Sequence, residues 1–97
     1  MVVRVEFAPL ARADLNSISD YSQDHWGPQR ANAYVSEIET LIARLLEYPL
    51  IGQARKDLRA DLRNLRVRSH IIYYRVTDFG ISIVRILHHS QDAIRHL

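Results

Sequence analysis

Residues 63–89, RNLRVRSHIIYYRVTDFGISIVRILHH, constrain the fold more than any other part of the chain. They divide into NLRVR (64–68), HIIYYRV (70–76) and ISIVRIL (81–87), with a turn at Thr77-Asp78-Phe79-Gly80. Isoleucine, valine and tyrosine dominate, as in strands on a packed sheet. Three consecutive strands with short connections imply antiparallel pairing.

Side chains two apart share a face of a strand. Arg66 and Arg68 then lie opposite Leu65 and Val67. Arg75 shares a face with Ile71 and Tyr73, and Arg85 with Ile81, Ile83 and Leu87. Arginine avoids full burial unless paired, so these faces are expected to point away from any helical layer. Yet they also carry five large apolar side chains, where a sheet covered on one side should read polar. The second face therefore needs a cover: the tail, a second copy or a partner.

The first half supplies the helical layer. Val3, Val5 and Phe7 alternate with Arg4 and Glu6, which predicts a strand with one buried face. Pro9 suits a helix start. Ala11, Leu15, Ile18 and Ser22 then recur at helical spacing up to Trp26, where Gly27-Pro28 ends one helix and opens the next. Ala31, Tyr34, Val35, Ile38, Leu41, Ile42 and Leu45 form the second stripe, which stops before Pro49. Residues 55–59 read as a solvated loop, or one helical turn, and residues 88–97 as a tail with one or two helical turns. Trp26 reads as an anchor of the helical hairpin. The expected architecture is α+β: a strand, an antiparallel two-helix hairpin on one face, a three-stranded antiparallel sheet and a short C-terminal tail. A chain of 97 residues is expected to form one domain, residues 1–97.

Composition narrows the chemistry. There is no cysteine, so disulfides and thiolate metal sites are excluded. No apolar run approaches the roughly 20 residues of a membrane span, and the N-terminus lacks the pattern of a signal peptide; the expected location is the cytoplasm. Net charge is only +2, but Lys56 is the sole lysine among 13 basic residues. A GC-rich genome accounts for that bias, although not for the placement of arginines, whose planar forks suit carboxylates and phosphates.

No zinc spacing, glycine-rich phosphate loop or nucleophile elbow is present. His88 and His89 are adjacent, which on a strand turns them to opposite faces; no metal and no cofactor is expected. Arg66, Arg68, His70, Arg75, Arg85, His88 and His89 offer the cations and acid–base groups of a metal-free ribonuclease. The same arginines suit an acidic protein partner equally well.

The chain resembles the RelE/ParE superfamily of bacterial toxins from toxin–antitoxin pairs over essentially its whole length. The resemblance is carried by the run from Phe7 to Leu15 with Ile18 and Tyr21, by Trp26-Gly27, Ala31, Tyr34, Ile38, Leu45, Pro49 and Gly52, and most specifically by the run from His70 to Val76, the run from Ile83 to His88, and Asp92. Within the superfamily it looks like the ParE branch. RelE-type toxins cut messenger RNA on the ribosome with basic residues and a tyrosine near the C-terminus. Here His70 stands where an arginine would be expected, and the tail has no tyrosine.

The resemblance therefore implies a non-enzymatic inhibitor of DNA gyrase, neutralised by a ParD-like antitoxin. A ribosome-dependent mRNA endoribonuclease is the alternative, and an inert binding domain a third reading. It further implies target contacts through His88, His89, Asp92 and Arg95. Antitoxin contacts are expected through Arg66, Arg68, His70, Tyr73, Arg75, Ile83 and Arg85. The expected partners are the antitoxin and gyrase, without sequence-specific nucleic-acid binding by the chain alone and without a membrane. A homodimer and a toxin–antitoxin hetero-oligomer are the assemblies open to it.

Overall fold

The computed structural model describes residues 3–97 of the chain; Met1 and Val2 of the expected domain lie outside them. The elements run β1 (Arg4–Phe7), α1 (Pro9–Trp26), α2 (Pro28–Glu47), β2 (Gln53–Ala54), β3 (Leu62–Val67), β4 (His70–Thr77), β5 (Gly80–His88) and α3 (Ala93–His96). The expected α+β order is present, with the two long helices on one face. The sheet is wider than the three strands anticipated. Its order is β1-β5-β4-β3-β2. β1 joins one edge parallel to β5, and the two-residue β2 extends the other edge antiparallel to β3.

Prolines set the helix boundaries. Pro9 and Pro28 each occupy a first turn, where the missing N–H costs nothing, and Gly27 joins the helices at φ 86°. The stripes bury as their spacing predicts. Ala11, Leu15, Ile18 and Ser22 of α1 are buried, as are Ala31, Ile38, Ile42 and Leu45 of α2. Apart from Ala31 and Ser22 they meet Val67, Ile72, Tyr74, Ile81, Ile83 and Ile86 of the sheet in one core. The tip of the β4–β5 hairpin is pressed against β1: Gly80, at φ 140°, lies so close to the Arg4 backbone that a Cβ would collide with it.

One local feature overturns the face assignment of β5. The register with β4 pairs Tyr73 with Arg85 but Tyr74 with Ile83, which leaves Val84 as an extra residue. Such a bulge shifts the alternation by one position. Ile81 and Ile83 therefore sit beneath the helices at 0% exposure, while Leu87 stays on the opposite face. The arginines do not all avoid the helices either. Arg68 pairs with Glu37 of α2 and Arg85 with Asp14 of α1.

The second face is covered from within the chain. Leu62, Tyr73 and Leu87 are buried there, with Leu58, Ile71 and Val84 around them and Ala93 and Leu97 of the tail packed on top. Residues 55–59 form hydrogen-bonded turns, with the Leu58 and Arg59 N–H groups donating to the Arg55 carbonyl. That loop is thus more than solvated surface, since Leu58 contributes to the second cluster.

Candidate functional site

The chemically richest region is the end of the molecule where the C-terminal half of α1, the N-terminal half of α2, the β3–β4 turn and the end of β5 meet. A cavity of about 550 Å³ opens there, walled by Tyr21, Trp26, Tyr34, His70 and His88. The β3–β4 hairpin brings His70 to it. Its two-residue turn, Arg68-Ser69, places Arg68 at φ 51°, a region that non-glycine residues seldom occupy. β5 pairs His88 opposite His70, so the hairpin register itself assembles the two rings.

The groups form a chain of contacts. The Tyr34 hydroxyl lies 2.7 Å from Nδ1 of His70 and donates to the Val67 carbonyl at 3.2 Å. The His70 and His88 rings meet edge to face at 5.4 Å, and His88 stacks on His89 at 4.4 Å. His88 Nδ1 lies 2.7 Å from the Ser90 hydroxyl, and the His88 N–H donates to the Gln91 side chain. The strand argument that turned His88 and His89 apart fails because β5 ends at His88. No group of three potential ligands is arranged for a metal ion among the described residues.

Burial sets the protonation state. His70 is pushed down to about 4, first by desolvation and then by the charges of His88 and His89. It is therefore neutral near pH 7. Burial likewise pushes the Tyr34 hydroxyl up. A neutral imidazole beside a neutral phenol can exchange hydrogen bonds but holds no fixed charge.

The other expected contacts divide by exposure. Arg66 and Arg68 are exposed at the open end of β3, beyond its short pairing with β2. Arg75 pairs with Asp61 at 3.1 Å on the second face. Tyr73, only 3% exposed, and the sealed Ile83 offer a partner no side-chain surface in this fold. Arg85 is committed as well, since Asp14 and the His96 carbonyl take its guanidinium. Asp92 caps α3, its carboxylate accepting the Ile94 N–H, while Arg95 stands in solvent. His88 stacks on His89 and Asp92 lies near Arg95, but of the four only His88 lines the cavity.

Sequence reasoning missed Tyr34, read as core; Arg30; and Trp26, read as a hairpin anchor. Trp26 is in fact 53% exposed, edge-on to the Tyr21 ring, which stacks on His25. A signal was available. Arg30, Tyr34 and Glu37 are spaced as one helical face, and all three line a second cavity of about 390 Å³ beside Trp26.

This small α+β fold, with a helical hairpin over a mostly antiparallel sheet, is that of the RelE/ParE toxins. It superposes on a chain of the chromosomal ParDE toxin–antitoxin system from P. aeruginosa with a TM-score of 0.77. That match covers 90% of this chain and 96% of the other at 25% identity. The YoeB dimer from Staphylococcus aureus shares the fold at a TM-score of 0.65, 21% identity and 92% and 99% coverage. The sequence itself is more specific. Residues 5–93 match the family described as the ParE toxin of the type II toxin–antitoxin system, parDE. Toxin ParE1 of Mycobacterium tuberculosis (strain CDC 1551 / Oshkosh) is 39% identical over 98 residues, covering both chains completely. Toxin ParE1 of Caulobacter vibrioides is 39% identical over 87 residues, 90% of each chain. The chain belongs to the ParE toxin family and is the toxin component of a type II toxin–antitoxin pair.

Proposed function

We propose that this toxin acts on DNA gyrase by binding it, without catalysis of its own, and that a ParD-like antitoxin neutralises it in the cytoplasm. The family match over residues 5–93 carries this reading. The committed state of the arginines supports it. Arg75 and Arg85 each face a carboxylate, so these two strand arginines do not form a free cationic centre for a scissile phosphate. His88, His89 and Arg95 form the target-facing end, with Asp92 holding the turn that presents Arg95. Arg66, Arg68, His70 and Arg75 remain the accessible candidates for the antitoxin.

The second reading, ribosome-dependent mRNA cleavage, draws on the Tyr34–His70–His88 contacts at a cavity mouth. Imidazoles and a phenol are acid–base groups of the type such cleavage uses.

A supercoiling assay with purified gyrase, run beside ribosome-dependent mRNA cleavage, separates the two. Blocked supercoiling with intact message is the expected result. Cut message with normal supercoiling would overturn the proposal and turn attention to His70 and His88.

A further inference from the structure

The cavities at this end of the molecule join into one groove. The ring-walled cavity shares Trp26, Tyr34 and Ser69 with its neighbour of about 390 Å³. That neighbour shares Glu37 and Arg68 with a third of about 520 Å³, between α2 and the open end of β3. The groove starts among aromatic rings and continues between guanidinium groups.

Its charges are unbalanced. Arg30, Arg44, Arg66 and Arg68 line the second and third cavities against one carboxylate, Glu37. Arg68 meets Glu37 through Nε alone, and Arg66 donates its Nε to the Arg68 carbonyl. Arg30 and Arg44 make no ion pair among the described residues. Arg68 also holds a left-handed turn position that glycine or asparagine would take more easily.

The first cavity differs. Its one carboxylate, Asp14, is engaged by Arg85 and the Ile86 N–H. The remaining polar groups are hydroxyls, the Gln91 amide and the imidazoles of His70 and His88, of which burial holds His70 neutral. Flat aromatic walls with hydrogen-bond donors and acceptors among them suit the face and edge of a nucleobase. A row of guanidiniums beside them suits the phosphates that follow it.

We propose that this groove binds single-stranded nucleic acid, with one base entering the ring-walled cavity against Trp26 and the backbone running along Arg30, Arg68, Arg66 and Arg44. Stacking and phosphate contacts tolerate any sequence. A duplex keeps its bases stacked away from such a cavity. A free nucleotide leaves the third cavity unused. An acidic helix finds no guanidinium or ammonium group in the first. The inference stands independently of the gyrase reading.

Trp26 is the only tryptophan, so its fluorescence reports the groove directly in the full-length protein. Titration with unlabelled oligonucleotides of about eight nucleotides, DNA and RNA, at low salt should quench it saturably. The affinity should fall with salt at a log–log slope of about −2 to −3, since single strands give about −0.7 per neutralised phosphate. By anisotropy of a labelled strand, Trp26→Ala should weaken binding about tenfold, the scale of one lost base stack. The double variant Arg30→Gln/Arg66→Gln should flatten the slope by about 1.4. These side chains are exposed, and unchanged circular dichroism confirms that each variant is folded.

Absence of saturable quenching by any strand overturns the proposal. So does equal affinity for duplex or for adenosine monophosphate, or indifference to both variants. Quenching by an acidic helical peptide but not by oligonucleotides assigns the groove to a protein and overturns it too.

Discussion

Asp14 of α1 grips Arg85 of β5 with both carboxylate oxygens, at 2.8 and 2.9 Å, across 71 residues of sequence. The same carboxylate accepts the Ile86 N–H at 2.9 Å, beyond the point where β1 stops pairing with β5. Hydrogen bonding to Asp14 holds the Arg85 guanidinium still further up. Both side chains are 15% exposed, so removing one strands a charge and a backbone donor in a poorly solvated place. Asp14→Ala should cost about 2–3 kcal/mol in urea denaturation. Adding Arg85→Met should recover part of that loss, and strict additivity of the two changes would contradict the coupling.

His70 makes stability depend on pH. Its folded value, about 4, lies below the 6.5 of an unperturbed histidine. Between those values the unfolded chain binds a proton that the folded chain refuses, so stability is lost as pH falls from about 6.5 towards 4. The groups facing the ring are Tyr34, His88, His89 and, with opposite sign, Asp14. The loss should be about 2 kcal/mol, less than the whole shift implies because the ring is partly open to water. Urea midpoints at pH 7 and pH 4.5 measure it, and His70→Gln should show the smaller difference. Equal differences in both proteins would rule out His70 as the source.

The Tyr74 hydroxyl ties down the loop after α2. It accepts the Gly52 N–H at 2.9 Å and donates to the Pro49 carbonyl at 2.8 Å, and burial pushes its pKa up. Tyr74→Phe removes both bonds without changing the ring, at a cost of about 1–3 kcal/mol. Amide exchange at Gly52 should quicken along with it; unchanged protection there would show that the hydroxyl does not hold the loop. Gly52→Ala should also destabilise, because the new methyl would meet the Asn64 carbonyl at 2.7 Å.

The tail serves as the cover of the second face. Deleting residues 93–97 removes Ala93 and Leu97 from Tyr73 and Leu87, along with the His96 carbonyl from Arg85. The expected effect is about 1–3 kcal/mol of lost stability, from uncovered apolar area, with increased binding of a hydrophobic dye. Leu97→Ala should give about 1 kcal/mol of it. A deletion with the parent's urea midpoint and dye signal would mean that the tail covers nothing.

The helices were legible because their stripes obey one period and prolines punctuate them. The faces of β4 were legible for the same reason: Ile72 and Tyr74 enter the core while Tyr73 turns away. β5 was not, because a bulge at Val84 breaks the parity on which the reading of Ile81 and Ile83 rested. Parallel pairing of β1 with β5 leaves no local trace, since the hydrogen-bonded partners lie far apart in sequence. The family was readable from the resemblance carried by the runs from His70 to Val76 and from Ile83 to His88, but the histidine contacts were not. They arise where strand geometry ends and three rings gather around a turn. Tyr34 hid because a phenol on an apolar stripe reads as filling until its hydroxyl is seen against His70.

β1 is completed by β5, which is made much later: Arg4 pairs with Gly80 and Phe7 with Ile83. Such distant pairing has to close most of the chain as a loop before it gains anything. A nascent polypeptide released midway holds β1 and both helices but none of the β3, β4 and β5 residues on which their apolar stripes rest. The fold therefore closes only once β5 has been made. A polypeptide interrupted before β5 leaves those stripes uncovered and open to proteases.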